Sequence, residues 1–280
     1  MDSIIIKPRN ESLKKYVQYF LFFRKSAARL VRYSTFPNNN LCLAIYKENK
    51  IDYTSHSKLN HCLVTKGTGG FKSRLFGFHK MPFHVDVHSA LDQICILFEP
   101  AALTAFTGES YRDLLGSDHV FDIFGRNSHY LLEEIFDEED FFTRVEKLEH
   151  ILLENLKVSH PEKLKEALAL ITTGGEDLSV ETLAKKLGIS PPTLFRLFKN
   201  HVGLNPKTYI KTNRFRNILN EILQKQQSLT SAAHANLYYD QAHFIKDFKV
   251  FSGYSPRQLL NKISIEQNNL AWIYDNNNHR

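Results

Sequence analysis

Two stretches near the carboxyl end of the chain carry the same arrangement of cationic side chains. Residues 194–210 read LFRLFKNHVGLNPKTYI, residues 244–260 read FIKDFKVFSGYSPRQLL, and the two align with an offset of 50 residues. Arg196 then matches Lys246, and a second cation, a lysine, follows three residues later in both copies. Such cations can bind phosphate oxygens, and arginine can also donate two hydrogen bonds to guanine. Two copies are too few for a repeat array, so we expect one bilobed unit.

The sequence before each copy predicts the helices that position these cations. Apolar residues in VETLAKKLG recur at i, i+3, i+4 and i+7, which indicates an amphipathic helix closed by Gly188. Ser190 then caps a second helix with Pro191 in its first turn. In the second copy Asp240 is the predicted cap, and Phe248 anchors the helix. Two short helices joined by a tight turn form a helix-turn-helix, so the chain is predicted to contain two.

The outward faces of the two capped helices have the layout of recognition helices. Short polar side chains near the amino end can reach base edges, and cations further along can reach phosphates or guanine. The predicted DNA-binding side chains are Ser190, Pro192, Thr193, Phe195, Arg196 and Lys199 in the first copy, and Asp240, Gln241, Ala242, His243, Lys246 and Lys249 in the second. Pro192 and Phe195 cannot hydrogen-bond a base edge, but they could pack on a thymine methyl group.

The excess positive charge of the chain coincides with the duplicated segment. Counting Lys and Arg against Asp and Glu gives zero for residues 1–159, +7 for residues 160–262 and −1 for residues 263–280. A polyanion is therefore expected to bind to the basic segment. Two other interpretations stay open: the cations solvate the surface of two helical hairpins, or the helical domain recognises an acidic protein surface.

The duplicated segment resembles the DNA-binding domain of the AraC/XylS family of bacterial transcription regulators. The resemblance rests on LAKKLGISPPTLFRLFKNHVGLNPKTYI followed by DQAHFIKDFKVFSGYSPRQLL, and it covers about residues 160–262. It implies an all-α, homeodomain-like domain of seven helices with two helix-turn-helix lobes, and sequence-specific binding to promoter DNA. It also implies a long helix between the lobes, over about residues 206–224, that carries Arg214 and Arg216.

The second lobe departs from the family pattern at three positions. Leu237 stands where the family usually has glycine in the turn, Tyr238 where phenylalanine is usual, and Ala232 where isoleucine is usual. A leucine with positive φ is strained, so these differences predict a remodelled second turn.

The first part of the chain predicts an α+β domain with a small sheet or barrel plus helices. The segments LCLAIY, SRLFGFH, FHVDVH and DQICILF are typical of strands, with PNNN, KGTGG and KMP as breaks between them. The segment EPAALTAFTG predicts a helix from Pro100 to Gly108, and two more helices follow within residues 128–157. We therefore predict a regulatory, sensor or dimerisation domain at residues 1–158, the DNA-binding domain at 160–262 and a frayed tail at 263–280. The first domain more faintly resembles uncharacterised sensor regions of such regulators.

One polar pattern in the first domain could bind a metal ion. His84, Asp86 and His88 alternate along HVDVH, so a strand would place all three on one face, with His79 nearby in sequence. A polar strand face in water gives the same pattern, and nothing else in the sequence fixes a coordination geometry. No catalytic motif accompanies these residues, so neither an enzyme nor a cofactor is predicted.

Composition and terminal segments limit the compartment and the partners. No apolar run is long enough to cross a bilayer, the first residues do not form a signal peptide, and three isolated cysteines indicate reduced thiols. The chain is expected to act in the cytoplasm without a membrane partner. Besides promoter DNA, the candidate partners are RNA polymerase, a small-molecule effector and a second copy of the chain bound through the first domain or helices 128–157.

Overall fold

A computed structural model describes most of the chain. It covers residues 2–26, 29–56, 59–109, 111–157, 161–174, 178–225, 241–262, 264–266 and 270–274.

One nine-stranded sheet forms the body of the first domain. The strands are β1 (Asp2–Ile6), β2 (Val17–Lys25), β3 (Val31–Thr35), β4 (Leu41–His56), β5 (Leu59–Phe76), β6 (Phe83–Val87), β7 (Leu91–Phe98), β8 (Ser264–Glu266) and β9 (Leu270–Tyr274). Their order is β1-β2-β7-β4-β5-β6-β3-β9-β8, and all neighbours are antiparallel except β5 and β6. The sheet curves into a half-barrel, which confirms the predicted α+β class. With nine strands it is larger than the small sheet that the sequence suggests.

The two faces of the sheet have different partners because side chains alternate along each strand. Phe20 and Phe22 of β2 belong to a buried cluster that includes residues of the helices following the sheet. Leu21 and Phe23 point to the opposite face and pack with Tyr46 and other residues of the concave side. The half-barrel therefore has one face covered by helices and one concave face turned away from them.

Helices α1 (Tyr111–Leu115), α2 (Ser128–Phe136) and α3 (Phe141–Glu154) follow the strands of the first domain. The acidic run at 137–140 forms the predicted bend, and Asp140 caps α3 by accepting a hydrogen bond from the Thr143 amide at 2.7 Å. The apolar stripe of α2 and α3 is buried against the sheet. It is therefore intramolecular core, and the dimer contact considered for these helices does not follow from the stripe.

A buried ion pair joins α3 to the first residues of β7. The Arg144 guanidinium donates to both carboxylate oxygens of Asp92 at 2.7 and 2.8 Å, and also to the carbonyls of Phe136 and Glu138. Arg144 is only 1 % exposed, and such a group is tolerated in a core when its donors are satisfied in this way. This contact orients the helical layer on the sheet.

Two sequence-based predictions for the first domain are wrong. The segment after Glu99 contains a 3-10 turn at Ala102–Ala105 rather than an α-helix ending at Gly108. Ala101 has φ +66° and is fully buried among residues of the carboxyl-terminal helices, so tertiary packing overrides the helical pattern. KGTGG does not end a strand either: β5 continues through it as a bulge, in which β4 residues 47 and 49 pair with β5 residues 71 and 66.

The carboxyl-terminal helices match the predicted positions closely. They are α4 (Glu162–Thr173), α5 (Val180–Leu187), α6 (Pro191–His201), α7 (Pro206–Lys225), α8 (Gln241–Ser252) and α9 (Pro256–Leu260). Gly188 has φ +65° and closes α5, and Ser190 caps α6 by accepting a hydrogen bond from the Thr193 amide at 3.3 Å. The predicted first helix of the second lobe, its turn at Leu237 and the cap Asp240 lie outside the described residues.

The predicted frayed tail contains strands instead. β8 and β9 form a hairpin, and β9 pairs antiparallel with β3 so that Ser34 lies opposite Ile273. Ile273 is buried with Phe36 of the first domain and Phe215 of α7. The apolar residues in SIEQNNLAWIY complete a sheet edge, and a strand of this length gives a weak signal when it is read alone.

One stripe of α7 packs against the first domain. The stripe consists of Tyr209, Asn213 and Arg216, which are spaced four and three residues apart, as expected for one helix face. Tyr209 lies 6.2 Å from the ring of Phe78 between centroids, and the Asn213 side chain accepts a hydrogen bond from Asn39 at 2.8 Å. Arg216 continues the stripe toward the concave face of the sheet. The long helix between the two lobes is therefore in direct contact with the half-barrel.

A second contact joins α1 to the turn after α6. Gly203 ends α6 with φ +80°, and a Cβ built on it would lie 2.4 Å from the Tyr111 ring. Burial raises the pKa of the Tyr111 hydroxyl. Gly203 is therefore needed both for its backbone conformation and for the close approach of the two domains.

We predict that Gly203→Ala destabilises the protein more than Gly188→Ala does. Both glycines have positive φ, which costs an alanine about 1–2 kcal/mol, but the Cβ at Gly188 meets open space. Gly203→Ala should lower the free energy of unfolding by at least about 1 kcal/mol more than Gly188→Ala does, because Tyr111 must move. Denaturant unfolding of both variants, repeated with Tyr111→Ala, measures this excess. If it persists without the Tyr111 ring, the proposed contact is wrong.

We also predict that truncation after Lys262 exposes the edge of β3. The β3 amides that face β9 should exchange with solvent about tenfold faster or more, whereas amides of β7 in the sheet centre should not change. Truncation after Tyr274 is the matched control, because it keeps β9. Equal exchange of β3 in both truncated proteins would show that the tail strand does not protect this edge.

Candidate functional site

The exposed face of α6 contains most of the side chains predicted for the first lobe. Pro192, Phe195, Arg196 and Lys199 are all exposed, and Phe195 keeps 47 % of its surface accessible. Leu194 and Phe198 are fully buried on the opposite face. The amphipathic pattern of α6 thus fixes which side of the helix is presented to a partner.

Two hydroxyls predicted to contact DNA are part of the helix cap. The Ser190 and Thr193 hydroxyl oxygens lie 2.9 Å apart, and Ser190 also accepts from the Thr193 amide. The next two residues, Pro191 and Pro192, have no N–H, and the Leu194 amide donates to the Ser190 carbonyl at 3.0 Å, so the first turn leaves no unpaired amide for an anion. We therefore expect these residues to contribute mainly by shaping the amino end of α6.

Helix α8 presents the corresponding face of the second lobe. Lys246 and Lys249 are exposed, and they occupy the sixth and ninth positions of α8, as Arg196 and Lys199 do in α6. The side chains of Gln241, Ala242 and His243 lie outside the described part of the chain. The duplicated cations therefore occupy equivalent positions on two exposed helix faces.

The sequence did not single out two apolar residues of this exposed face. Ile245 is 40 % exposed and Val250 is 57 % exposed, and both lie beside the lysines of α8. Phe195 has a similar place on α6. Apolar side chains among cations suit contact with thymine methyl groups and sugars. The helical spacing from Phe248, which is buried, could have indicated both positions.

Contacts to α7 hold each exposed helix. In the first lobe the Phe198 and Tyr209 rings lie 5.6 Å apart. In the second lobe the Phe215 ring lies 5.2 Å from that of Phe248, and Lys211 forms an ion pair with Asp247 at 3.2 Å. Both exposed helices are therefore attached to the same 20-residue helix.

A cavity of about 140 Å³ lies on the concave face of the half-barrel, at the junction of the domains. Most of its wall is apolar and aromatic, with Leu21, Phe76 and Phe83 as examples. Polar groups of Tyr19, Asn40 and Gln93 also face it. Asn40 hydrogen-bonds the Tyr19 hydroxyl and donates to Gln18 at 2.9 Å, so these polar groups are held in place.

Arg216 of α7 supplies the permanent charge in the cavity wall. Desolvation lowers the pKa of its guanidinium, and the nearby Tyr19 opposes that shift. Desolvation also lowers the pKa of His79, to about 4, so that the imidazole is neutral near pH 7. No aspartate, glutamate or lysine is among the described residues that line the cavity. The cavity therefore has a net charge of +1.

The candidate metal residues are engaged by other partners. His84 and Asp86 do lie on the exposed face of β6, but Ser34 Oγ is 2.7 Å from His84 Nδ1, and Arg32 pairs with Asp86 at 3.3 Å. His88 follows the strand end. Within the described ranges, no group of three or more His, Cys, Asp or Glu side chains is placed to bind a metal ion.

Comparisons with known families match both parts of the chain. Residues 183–262 match the family model described as a helix-turn-helix domain, and residues 6–119 match a domain of unknown function, DUF6597. The helix-turn-helix match covers α5 through α9, which contain both exposed helices.

The relatives found are similar to this chain over about a third of its length. An uncharacterised HTH-type transcriptional regulator of Haemophilus influenzae is 30 % identical over 98 residues, which are 35 % of this chain and 33 % of that protein. The transcriptional activator RhaS of Pectobacterium carotovorum is 29 % identical over 84 residues, 30 % of each chain. The matched region thus spans about a third of the length of these relatives. Their names are those of regulators rather than enzymes, as the sequence predicts.

Among solved structures, ToxT from Vibrio cholerae aligns with 86 % of this chain and 97 % of its own, at 10 % identity and a TM-score of 0.44.

No helix in the described ranges is long and apolar enough to cross a membrane. The motifs, the exposed helices and the matched helix-turn-helix model agree, and together they support a helix-turn-helix domain of the AraC/XylS type over residues 183–262.

Proposed function

We propose that the chain is a sequence-specific DNA-binding transcription regulator that reads two successive major-groove segments of promoter DNA. The observation that carries this proposal is the equivalence of α6 and α8, with exposed cations at the same helix positions. Two recognition helices about 34 Å apart enter successive turns on one face of DNA. Such a role places the chain in the bacterial cytoplasm.

The proposal assigns different tasks to the two cations of each helix. Arg196 and Lys246 are our choices for the strongest contacts, because they lie closer to the amino end of the helix that enters the groove. Lys199 and Lys249, one turn further along, suit phosphate oxygens. The exposed Phe195 suits an apolar contact with thymine.

The first domain is proposed to control this binding. It contacts α7, to which both recognition helices are attached, through Phe78 and Tyr209 on one side and Phe36 and Phe215 on the other. A change in the half-barrel can therefore alter the relative position of α6 and α8. RNA polymerase and a second copy of the chain are further proposed partners.

We predict that Arg196→Ala weakens binding to the preferred DNA site by about 1–3 kcal/mol and relaxes specificity at one base pair. Lys199→Ala should weaken all sequences alike and reduce the salt slope by about 1. Titration of each variant against the selected and a shuffled duplex, over a range of salt, measures both effects. Lys163→Ala on α4 is the matched control cation and should change neither.

Other outcomes assign different roles. Uniform weakening by Arg196→Ala would assign that residue to phosphate instead of a base. Absence of DNA binding at low salt would contradict the proposal and favour an acidic protein surface as the partner of the basic domain.

A further inference from the structure

The turns that end α6 and α8 both touch the first domain. Gly203 follows α6 and Gly253 follows α8, at the same offset of 50 residues that relates the two copies. A Cβ built on Gly203 would lie 2.4 Å from the Tyr111 ring, and one built on Gly253 would lie 3.4 Å from Pro82 Cγ. Tyr111 and Pro82 both belong to the first domain. That domain therefore reaches the same end of both helices.

Each of these turns continues a row of exposed cations. In α6 the row consists of Arg196 and Lys199, and Gly203 follows at the next position of the same spacing. Steps of three and four residues keep positions on one helix face, and α8 repeats them with two lysines before Gly253. The turn lies four residues after the second cation, about 6 Å further along the helix axis. The first domain thus borders both cation rows at their carboxyl ends.

One loop of the first domain reaches both turns. It covers residues 77–82, GFHKMP, between β5 and β6. Its Pro82 contacts the turn after α8, and its Lys80 lines a groove of about 700 Å³ together with Gly203 and Leu204 of the turn after α6. No aspartate or glutamate is among the described residues that line this groove. Lys80 therefore gives the groove a positive charge.

The fold holds Lys80 in an exposed place between anchored neighbours. The Phe78 ring lies 6.2 Å from that of Tyr209 on α7, and the His79 ring stacks on Phe83 at 4.8 Å. Lys80 itself is exposed, and within the described ranges its ammonium group forms no ion pair. An anion can therefore bind to it without breaking a contact of the protein.

The charges of the first domain are separated between its two layers. Counting Lys and Arg against Asp and Glu gives +6 for residues 1–127 and −6 for residues 128–159. The acidic part contains α2 and α3, which cover one face of the sheet. The basic part contains the strands and the 77–82 loop. The side of the first domain that borders the cation rows is thus complementary to a polyanion, although the domain as a whole has no net charge.

We propose that the first domain forms part of the DNA interface, with Lys80 as a phosphate contact between the two groove segments that α6 and α8 read. The sugar–phosphate backbone follows the cation row of α6 past Lys199 and enters the groove beside Gly203, where the Lys80 ammonium group binds a phosphate oxygen. This inference rests on the proposed function. A phosphate contact carries no sequence information, so Lys80 positions the DNA and reads no base.

The place of the loop favours a long polyanion over a small anionic ligand. A small anion would occupy only the groove beside Gly203, whereas the 77–82 loop also contacts the turn after α8. The groove is continuous with the exposed face of α6, which is already assigned to DNA. The backbone between two neighbouring major-groove segments is the part of DNA that would pass such a loop.

Titrations of the full chain with the selected and a shuffled duplex, over a range of salt, test this contact. Lys80→Gln should weaken binding to both duplexes alike, by about threefold or more at low salt, and should reduce the salt slope by about 1. Lys80→Arg keeps the positive charge and should stay within about twofold of wild type. Thermal unfolding of each variant shows whether it is folded.

Lys66→Gln is the matched control. Lys66 is also an exposed lysine of the first domain, but it lies ten residues before the end of β5, on the order of 30 Å along the strand from the loop. It should change neither the affinity nor the salt slope. Loss of affinity equal to that of Lys80→Gln would indicate a general effect of net charge and would overturn the assigned contact.

Hydroxyl-radical footprinting of the selected duplex locates the contact. Wild-type protein should protect the backbone between the two sequence elements, and Lys80→Gln should lose protection there while protection within both elements remains. Lys199→Gln should instead lose protection beside the element that α6 reads. Unchanged protection between the elements in Lys80→Gln would contradict the proposed position of the loop.

The outcomes separate this inference from the proposed function. If folded Lys80→Gln binds DNA like wild type while Arg196→Ala is weakened as predicted, the contact is wrong and the proposed function holds. Weakening by Lys80→Gln on the selected duplex alone would also overturn the contact, because it would indicate base reading. If the wild-type chain binds no DNA at low salt, the proposed function fails and this inference fails with it.

Discussion

The structure depends on the contact between one helix and the mouth of a half-barrel. Helix α7 links the two lobes of the carboxyl-terminal domain, and its stripe of Tyr209, Asn213 and Arg216 packs on the first domain. A helix is stiff over 20 residues, so whatever fixes its rotation and position also fixes the elements attached to it. Because Phe198 and Phe248 both pack against α7, the two recognition helices share one support.

Side-chain alternation in the sheet makes that support sensitive to the first domain. One face of each strand packs under α2 and α3, where the bidentate contact of Arg144 with Asp92 orients the helical layer. The other face forms a cavity wall that Arg216 completes. Filling the cavity therefore changes a surface that belongs to both domains. Among the described lining residues, Arg216 carries the only formal charge at neutral pH.

Local signals predicted much of this arrangement. The cap at Ser190 and the closing glycine at Gly188 follow from side-chain chemistry within one or two turns, and both are confirmed. The long helix over about residues 206–224 was implied by the family resemblance, and the structure has it as α7. Strands β6 and β7, the first residues of β4 and the last residues of β5 were likewise predicted from β-branched and aromatic runs. The cations of α6 and α8 are exposed as expected, although what they bind is a proposal.

Features that depend on distant segments could not be predicted. The Ala101 conformation depends on burial among helices more than 60 residues away, and β9 forms because β3 offers an unpaired edge. Arg216 was expected only as a residue of the long helix. Its place in the cavity follows from the docking of two domains, which no periodicity within α7 reveals.

Selection of genome fragments by the purified full chain tests the central claim most directly, that two equivalent helices on one support read two groove segments. The account predicts a site with two short elements about one helical turn apart, bound roughly a thousandfold tighter than shuffled DNA or more. A site with one element, or salt-sensitive binding without sequence preference, would contradict it.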